Sequence, residues 1–174
     1  LQAYRDYAPK SDQQEIEALI RSGENANVEF KSTLRWDLKE SKVNKGLEQV
    51  VVKTIAGFLN TEGGTLLIGV EDNRNILGLA SDYKTLGKRQ DADGFENLLV
   101  TLLLDAYGRD SGPLIKTTFH AFDSKEICKV VVSPSPKPVY ARDEKSSHMY
   151  VRAGNSTREL DAKEAVEYCR LHWK

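Results

Sequence analysis

The chain has 174 residues, of which 40% are hydrophobic and 29% are charged, and its formal net charge is -1. This length and composition are typical of one globular domain that buries about 70% of its unfolded surface. The near-neutral charge excludes a uniformly basic coat, so any nucleic-acid binding must come from local clusters of Lys and Arg. Two cysteines far apart in sequence predict neither a zinc site nor a disulfide framework. No run of about 18 apolar residues occurs, and we expect a cytoplasmic domain that makes no membrane contact.

The N-terminal region is predicted to contain an arm followed by a helix. Residues 1–10 have little periodicity and indicate an arm, and residues 11–174 are expected to form the domain. Ser11 or Asp12 is predicted to cap a helix that runs to about Arg21. Because the chain starts without a methionine, we also expect it to be a fragment of a longer protein.

The next segment alternates between apolar and polar residues. In NVEFKSTL, residues 27–34, Val28 and Phe30 are predicted to point inward, and Glu29 and Lys31 outward. This pattern is typical of a half-buried strand. The following segment, RWDLKESKVNK, is polar and predicts a loop.

The middle of the chain has the strongest periodicity. Residues 46–60 place apolar side chains, Val50 among them, at helical spacing and predict a largely buried helix. A TEGG turn follows, then TLLIGVED, whose continuous apolar run is typical of a strand at the centre of a sheet. NRNILGLA, residues 73–80, is predicted to be its hairpin partner.

The second half contains two more helices and several strands. Residues 93–107 carry an apolar stripe and predict a helix, and LIKTTFHAF and KEICKVVVS predict paired strands. Further strands follow an extended SPSPKP connector, and DAKEAVEYCRLHW is predicted to be a closing helix. The order of elements predicts a single α+β domain with a small mixed or antiparallel sheet flanked by helices.

Acidic residues near two of the predicted strands are candidates for a metal site. Glu29 and Lys31 share a strand face, Glu24 lies just before that strand, and Glu71 and Asp72 end the central strand. Carboxylates are the ligands that Mg²⁺ and Mn²⁺ prefer, and a nearby lysine can stabilise charge that develops on a phosphate. The alternative is that the Glu-Lys pair belongs to an ordinary solvated face.

Two sets of residues are candidates for binding a nucleic-acid backbone. The first is the basic set of the polar loop: Arg35, Lys39, Lys42 and Lys45. The second combines guanidinium groups, an aromatic ring and small polar side chains near the chain end: Arg142, Tyr150, Arg152, Asn155, Ser156, Thr157 and Arg158. The alternatives are a solvated loop for the first set, and pairing of Arg152 and Arg158 with Glu159 or Asp161 for the second.

Three stretches, VEFKSTL, IAGFLNTEGGTLLIGVEDN and YVRAGNSTREL, together resemble the Schlafen AlbA-type domain over roughly residues 12–172. The resemblance implies an α+β fold around a small sheet and contact with RNA or DNA. Nuclease members of that family use three acids to cleave transfer or ribosomal RNA, and their pattern falls on Glu24, Glu29 and Asp72 in this sequence.

The resemblance therefore implies a nucleic-acid-binding domain, with RNA of the transfer-RNA kind favoured over DNA. It also suggests a divalent-metal endoribonuclease in which Glu24, Glu29 and Asp72 hold Mg²⁺ or Mn²⁺ and Lys31 stabilises the transition state. The alternative is a non-catalytic regulatory or assembly module of a larger protein, which binds DNA, a nucleotide or another protein. We expect a homodimer, because one lobe offers half of the groove that two such lobes form. No GxxxxGK[ST] stretch is present, so ATP hydrolysis is not expected.

Overall fold

The computed structural model describes residues 11–174, and the predicted N-terminal arm lies outside the described residues. The first helix, α1 (Asp12–Ser22), begins with a reciprocal capping box between Ser11 and Gln14, which confirms Ser11 as the cap. It ends at Gly23, whose φ of 78° is unfavourable for a residue with a side chain.

The remaining elements alternate between helices and strands along the chain. In order they are β1 (Val28–Lys31), β2 (Trp36–Asp37), β3 (Lys42–Val43), α2 (Lys45–Leu59), β4 (Gly64–Ile68), α3 (Ala80–Tyr83), α4 (Ala92–Tyr107), a 3-10 helix (Arg109–Leu114), β5 (Ile115–Phe122), β6 (Lys125–Val132), β7 (Ala141–Arg142), β8 (Ser147–Ala153), β9 (Ser156–Leu160) and α5 (Ala162–His172).

Within residues 11–174 the strands form three sheets. The largest has the order β1-β4-β6-β5, and the others are the β7-β8-β9 sheet and the short β2-β3 pair. β1 runs parallel to β4, whereas β6 pairs antiparallel with β4 and β5, so the main sheet is mixed. The predicted α+β fold with small mixed and antiparallel sheets is confirmed. None of the helices in the described part of the chain is long and apolar enough to cross a bilayer.

The main sheet has a different hydrophobic core on each face. Val28 and Phe30 of β1 pack with Ile16 and Ile20 of α1 on one face. The core on the other face contains α2, α4 and Tyr150 of β8. Because side chains alternate along β1, Glu29 and Lys31 point to the α2 side, as the sequence pattern predicts.

The prediction that residues 73–80 form a strand paired with the central strand is wrong. NRNILGLA forms only an isolated bridge between Val70 and Ile76 and contains no strand. The reason is topological, since β4 is already paired with β1 on one side and β6 on the other. No edge of β4 is left for a third strand.

Two other features of the fold differ from the sequence prediction. The short helix α3 and the 3-10 helix lie in segments without a clear period, and neither was predicted. Val50, expected in the buried face of α2, is 42% exposed. The β7-β8-β9 sheet covers the neighbouring part of α2 but leaves Val50 in an open groove.

Candidate functional site

A buried carboxylate between two cations lies where β1 meets the β8–β9 hairpin. Glu29 Oε1 is 2.5 Å from Lys31 Nζ, and Glu29 Oε2 is 3.1 Å from Nη1 of Arg152. The Glu29 side chain is 12% exposed and that of Arg152 is 2% exposed. We call these three residues the Glu29 junction. Its one negative charge lies between two positive charges, so the junction as a whole is positive.

Arg152 is held in the junction by contacts on all sides of its guanidinium group. It donates to the backbone oxygens of Asn25 at 2.9 Å and Ala26 at 3.3 Å, and to the hydroxyl of Thr157 at 3.2 Å. The group also lies 4.9 Å from the centre of the Phe58 ring. The donors of Arg152 are therefore engaged inside the protein, and its predicted contact with nucleic acid stays a prediction.

The close approach of α2 to the hairpin depends on Gly57. A Cβ atom at this position would lie 3.3 Å from Thr157 Cγ2 and 3.4 Å from Arg152 Cδ. Both distances are at the tight end of ordinary contacts, so a side chain here would push the hairpin away from α2. The glycine therefore helps to set the position of the junction.

An open groove of about 430 Å³ lies beside the junction. Strand β1 supplies one wall, α2 the floor and the β8–β9 hairpin the other wall. We call it the hairpin groove, and it is lined by Glu29, Lys31, Val50, Lys53, Thr54, Tyr150, Asn155, Ser156, Thr157 and Glu159. The structure thus brings predicted residues from two distant segments, Glu29 and Lys31 on one side and Tyr150 and residues 155–157 on the other, to one site.

Where α2 meets the β8–β9 hairpin, the hairpin groove combines apolar side chains with a cation. The Tyr150 ring is 5.6 Å from Lys53 Nζ, and Val50 lies beside them in the groove. Burial raises the pKa of the Tyr150 hydroxyl, and the carboxylates of Glu159 and Asp143 add to this shift. Tyr150 is therefore neutral at physiological pH. Tyr150 itself is buried, at 6% exposure, so the apolar side chain that the groove exposes next to the cation is Val50, at 42%. An exposed aliphatic group beside a cation can contact a base while the cation contacts a phosphate.

The three carboxylates predicted to hold a divalent ion do not converge. Glu24 Oε1 accepts the backbone N–H of Phe30 at 2.8 Å, both oxygens of Glu29 are in ion pairs, and Asp72 is exposed in the turn beyond β4. Within residues 11–174, no group of three His, Cys, Asp or Glu side chains is placed to hold a metal ion. The residues present do not fit a Mg²⁺ or Mn²⁺ site, and Lys31 is the ion-pair partner of one of the acids.

Sequence comparison places the whole of this site inside a known family. The Schlafen, AlbA_2 family model matches residues 24–161, a span that contains both the Glu29 junction and the hairpin groove. The chain belongs to the Schlafen AlbA_2 family.

Two relatives give the extent of the likeness. The Schlafen AlbA_2 chain is 35% identical over 81 residues to a protein of Ureaplasma parvum serovar 3 described as an uncharacterized ATP-binding protein. That match covers 45% of this chain and 20% of the relative. The crystal structure of the DIP2311 protein from Corynebacterium diphtheriae matches with a TM-score of 0.57 at 18% identity, over 92% of this chain and 32% of that one. The fold is shared, and the chain spans about a third or less of these relatives.

In this Schlafen AlbA_2 domain, Asn60 joins α2 to the hairpin. The residue is fully buried, and its side-chain amide donates to the backbone oxygens of Val139 at 2.8 Å and Tyr150 at 2.9 Å. Its side-chain oxygen accepts the backbone N–H of Val139 at 2.8 Å. The hydroxyl of Tyr168 on α5 donates to the Asn60 backbone oxygen at 2.6 Å. Asn60 therefore holds Tyr150 over the end of α2.

The two glycines of the TEGG turn are required by packing. Gly63 has φ +74°, and a Cβ there would lie 2.5 Å from the backbone oxygen of Val132. A Cβ on Gly64 would lie 2.5 Å from the Phe58 ring and 2.8 Å from the backbone oxygen of Asn27. The stretch that carries the strongest family resemblance therefore builds the scaffold of the site and does not line the groove.

The basic residues predicted in the polar loop differ in their surroundings. Arg35 Nε is 3.1 Å from the buried carboxylate of Glu48, and the Arg35 side chain is 19% exposed. Lys42 Nζ lies 3.6 Å from Glu40, with both side chains exposed, and Lys39 and Lys45 are exposed. Arg35 is thus a structural partner of Glu48, whereas Lys39, Lys42 and Lys45 are accessible to a ligand.

The two remaining predicted arginines are both exposed. Arg142 donates to the backbone oxygen of Asp105 at 3.3 Å. Arg158 donates to Glu164 at 2.6 Å, so it forms an ion pair, as the alternative interpretation expected, but with a residue of α5. Glu159, the expected partner, instead bonds His148 at 2.5 Å.

Sequence reasoning missed Lys53, Val50, Thr54 and Glu159 as residues of the groove. A signal for Lys53 was present, because Gln49 and Lys53 are polar residues four apart and mark a solvent-facing side of an otherwise apolar helix. Val50 lies next to that side. Which element covers the rest of α2 could not be read from helical spacing.

Proposed function

We propose that this domain binds nucleic acid in the hairpin groove and that RNA is favoured over DNA. The observation that carries the proposal is the combination, in one groove, of Lys31 and Lys53 with the exposed apolar side chain of Val50. Membership of the family is consistent with this ligand class, and so is the description of the Ureaplasma relative as an ATP-binding protein, since a nucleotide is the repeating unit of RNA.

The charge available to a ligand in the groove is positive. Of the two carboxylates in its walls, Glu29 is held by Lys31 and Arg152, and Glu159 is hydrogen-bonded to His148. Within residues 11–174, Lys53 has no carboxylate partner. A phosphate bound between the two walls would gain charge-assisted hydrogen bonds, which are among the stronger polar contacts in proteins.

The preference for RNA is supported by the polar groups of the hairpin. Asn155 and Ser156 are exposed at the hairpin end, and each carries an oxygen that can accept a hydrogen bond from a ribose 2′-hydroxyl. The exposed Val50 side chain offers the base an apolar contact that does not depend on its identity. We therefore expect weak sequence preference.

The test is binding of a fluorescein-labelled single-stranded 12-mer, as RNA and as DNA of the same sequence, followed by fluorescence anisotropy at low salt. The wild type is expected to bind RNA more tightly, and Lys53→Ala to weaken RNA binding about tenfold, since a hydrogen bond to a charged group contributes about 1.5 kcal/mol. Lys88→Ala, an exposed lysine outside the groove, is the matched control. Absence of binding to both RNA and DNA would overturn the proposal.

Metal-dependent RNA cleavage stays a prediction, and the arrangement of Glu24, Glu29 and Asp72 lends it no support. It can be tested by incubating transfer RNA with the wild type or Glu29→Gln in the presence of Mn²⁺ and measuring RNA length. Shortened RNA with the wild type alone would support a nuclease. Intact RNA, or equal shortening with both proteins, would leave binding as the function.

The alternative is a regulatory or assembly module that binds a nucleotide or a protein partner. If ATP is its ligand, ATP should bind the hairpin groove more tightly than an RNA dinucleotide does, and Lys53→Ala should weaken ATP binding. The homodimer and the cytoplasmic location stay predictions. Sedimentation velocity over a range of protein concentrations tests the first, since a constant monomer mass would contradict it.

A further inference from the structure

A second and wider groove lies between α2, α4 and the turn from β7 to β8. Its volume is about 790 Å³. We call it the α2–α4 groove. Its basic lining residues come from two separate segments, α2 and residues 142–145, and they are Lys45, Lys53, Arg142 and Lys145.

Lys53 lines both this groove and the hairpin groove. Gln49 lies one turn earlier on the same exposed side of α2 and lines the α2–α4 groove. The two grooves are therefore neighbours on the outer face of α2, and Lys53 lies between them.

The cations of the α2–α4 groove are available to a ligand. Within the described part of the chain, none of Lys45, Lys53, Arg142 and Lys145 is in an ion pair. All four residues are exposed. Their charged groups are therefore free to form an ion pair with a ligand.

Two of the carboxylates in the same groove are already engaged. Glu48 is buried and paired with Arg35 at 3.1 Å. Asp143 accepts the backbone N–H groups of Lys145 and Ser146, both at 2.8 Å, and these bonds lower its pKa. Asp105 and Glu144 are the remaining acids. Since hydrogen bonds from backbone N–H groups leave Asp143 ionised, the four exposed cations face the charges of three carboxylates, and one positive charge is in excess.

The spacing of these cations matches a short run of nucleotides. Lys45 and Lys53 are eight residues apart on α2, which corresponds to about 12 Å along the helix axis. Stacked nucleotides rise about 3.4 Å each, so this distance is about that of three to four nucleotides. A single nucleotide would occupy the hairpin groove without reaching Lys45.

We infer that the ligand of this domain is a single-stranded polynucleotide that runs from the hairpin groove across Lys53 into the α2–α4 groove. This inference rests on the proposed function, because it assumes that the hairpin groove binds nucleotides. A single strand is favoured over a duplex because a base can turn into the hairpin groove and contact the exposed Val50 side chain only when it is unpaired. Lys53 contacts the phosphate at the crossing, and Lys45, Arg142 and Lys145 contact the phosphates that follow.

The experiment is a length series of labelled oligouridylates with two, four, eight and twelve nucleotides, measured by anisotropy with the wild-type protein. Affinity is expected to rise at least tenfold between the dinucleotide and the octanucleotide. The triple variant Lys45→Ala/Arg142→Ala/Lys145→Ala is expected to lose this gain and to bind the dinucleotide as the wild type does. Its matched control is Lys88→Ala/Lys163→Ala/Arg170→Ala, which removes the same charge from exposed positions outside both grooves.

Salt dependence gives a second measurement of the same contacts. For single strands the slope of log K against log salt is about -0.7 per phosphate contact, so five contacts predict about -3.5. In the triple variant the salt dependence should be weaker, with a slope of about -1.4, which corresponds to two phosphate contacts. The control variant should keep the wild-type slope, and circular dichroism melting checks that all variants are folded.

The outcomes separate this inference from the proposed function. If no oligonucleotide binds at any length, the proposed function fails and the inference fails with it. If dinucleotide and octanucleotide bind equally, or if the triple variant behaves like its control, the inference is overturned while the hairpin groove stands. Tighter binding of a duplex than of the octanucleotide would also overturn it.

Discussion

The Glu29 junction and the outer face of α2 are both rich in cations, but the two regions use them differently. In the junction, Arg152 is 2% exposed and donates to Glu29 and to backbone oxygens. On α2, Lys45 and Lys53 are exposed and have no carboxylate partner within residues 11–174. The difference shows that residue type and proximity do not identify a ligand-binding cation. Its remaining hydrogen-bonding capacity does.

The largest expected effect is on the junction side. Arg152→Ala should lower the free energy of unfolding by about 3 kcal/mol, because it leaves the carboxylate of Glu29 largely buried with a single cation. Urea denaturation followed by circular dichroism measures this change. The matched control is Arg158→Ala, which removes an exposed ion pair with Glu164 and should cost at most about 0.5 kcal/mol. Equal losses in the two variants would contradict the comparison.

A similar loss is expected where the hairpin is attached to α2. Asn60→Ala removes hydrogen bonds to both backbone groups of Val139 and to the oxygen of Tyr150. Leaving these buried groups without partners should cost about 3 kcal/mol. Asn155→Ala, at the exposed end of the hairpin, should change stability by less than about 0.5 kcal/mol in the same urea measurement. A stable Asn60→Ala protein would show that Asn60 does not hold the two elements together.

On the α2 side, stability and binding are expected to separate. Lys53→Ala should change the free energy of unfolding by less than about 0.5 kcal/mol, because the side chain is exposed and its Nζ lies 5.6 Å from the Tyr150 ring, near the limit of a cation–π contact. The same variant should weaken RNA binding, as described above. If Lys53→Ala unfolds as readily as Arg152→Ala, the lysine belongs to the scaffold and the distinction between the two regions fails.

The smallest expected effect is a pH dependence at the edge of the hairpin. The hydrogen bond that His148 donates to Glu159, together with the charge of Asp143, raises the pKa of His148 above 6.5. The folded state therefore holds this proton more tightly than the unfolded state, and the stabilisation is present below pH 6.5 and lost as the pH rises through the raised pKa. His148→Gln should remove this decline in stability in urea titrations between pH 6 and 8.

His120 provides the contrast within the same titration. Burial lowers its pKa below 6.5, with Lys129 adding to the effect, so the folded state resists its protonation. Its contribution to stability should fall as the pH drops below 6.5, which is a separate range from that of His148. A decline above pH 6.5 that persists in His148→Gln would assign it to another group.

Helices and strands with strong periodicity could be predicted from the sequence. Contacts between segments that are far apart in the chain could not. Val28 and Phe30 alternate with Glu29 and Lys31 in β1, and the apolar run of β4 does lie inside the sheet. Alternation defines the face on which a side chain lies, but it does not reveal what covers that face. For this reason Arg152 was expected at the surface and is buried.

The metal prediction shows the same limit. Glu24 and Glu29 fit the spacing of a family pattern, but spacing does not reveal that a backbone N–H and two cations already engage their oxygens. Those contacts arise only in the folded chain. The turn that carries Asp72 lies beyond the end of β4, so strand order alone could not place it relative to β1.

The 123-residue separation between Glu29 and Arg152 has a consequence for protein synthesis. On the ribosome, β1 and α2 emerge with both groove lysines long before the β8–β9 hairpin is translated. A product terminated ahead of that hairpin carries these lysines but has only one wall and the floor of the groove. Ribosome-stalled chains of increasing length should therefore acquire RNA affinity in one late step, when the hairpin leaves the exit tunnel.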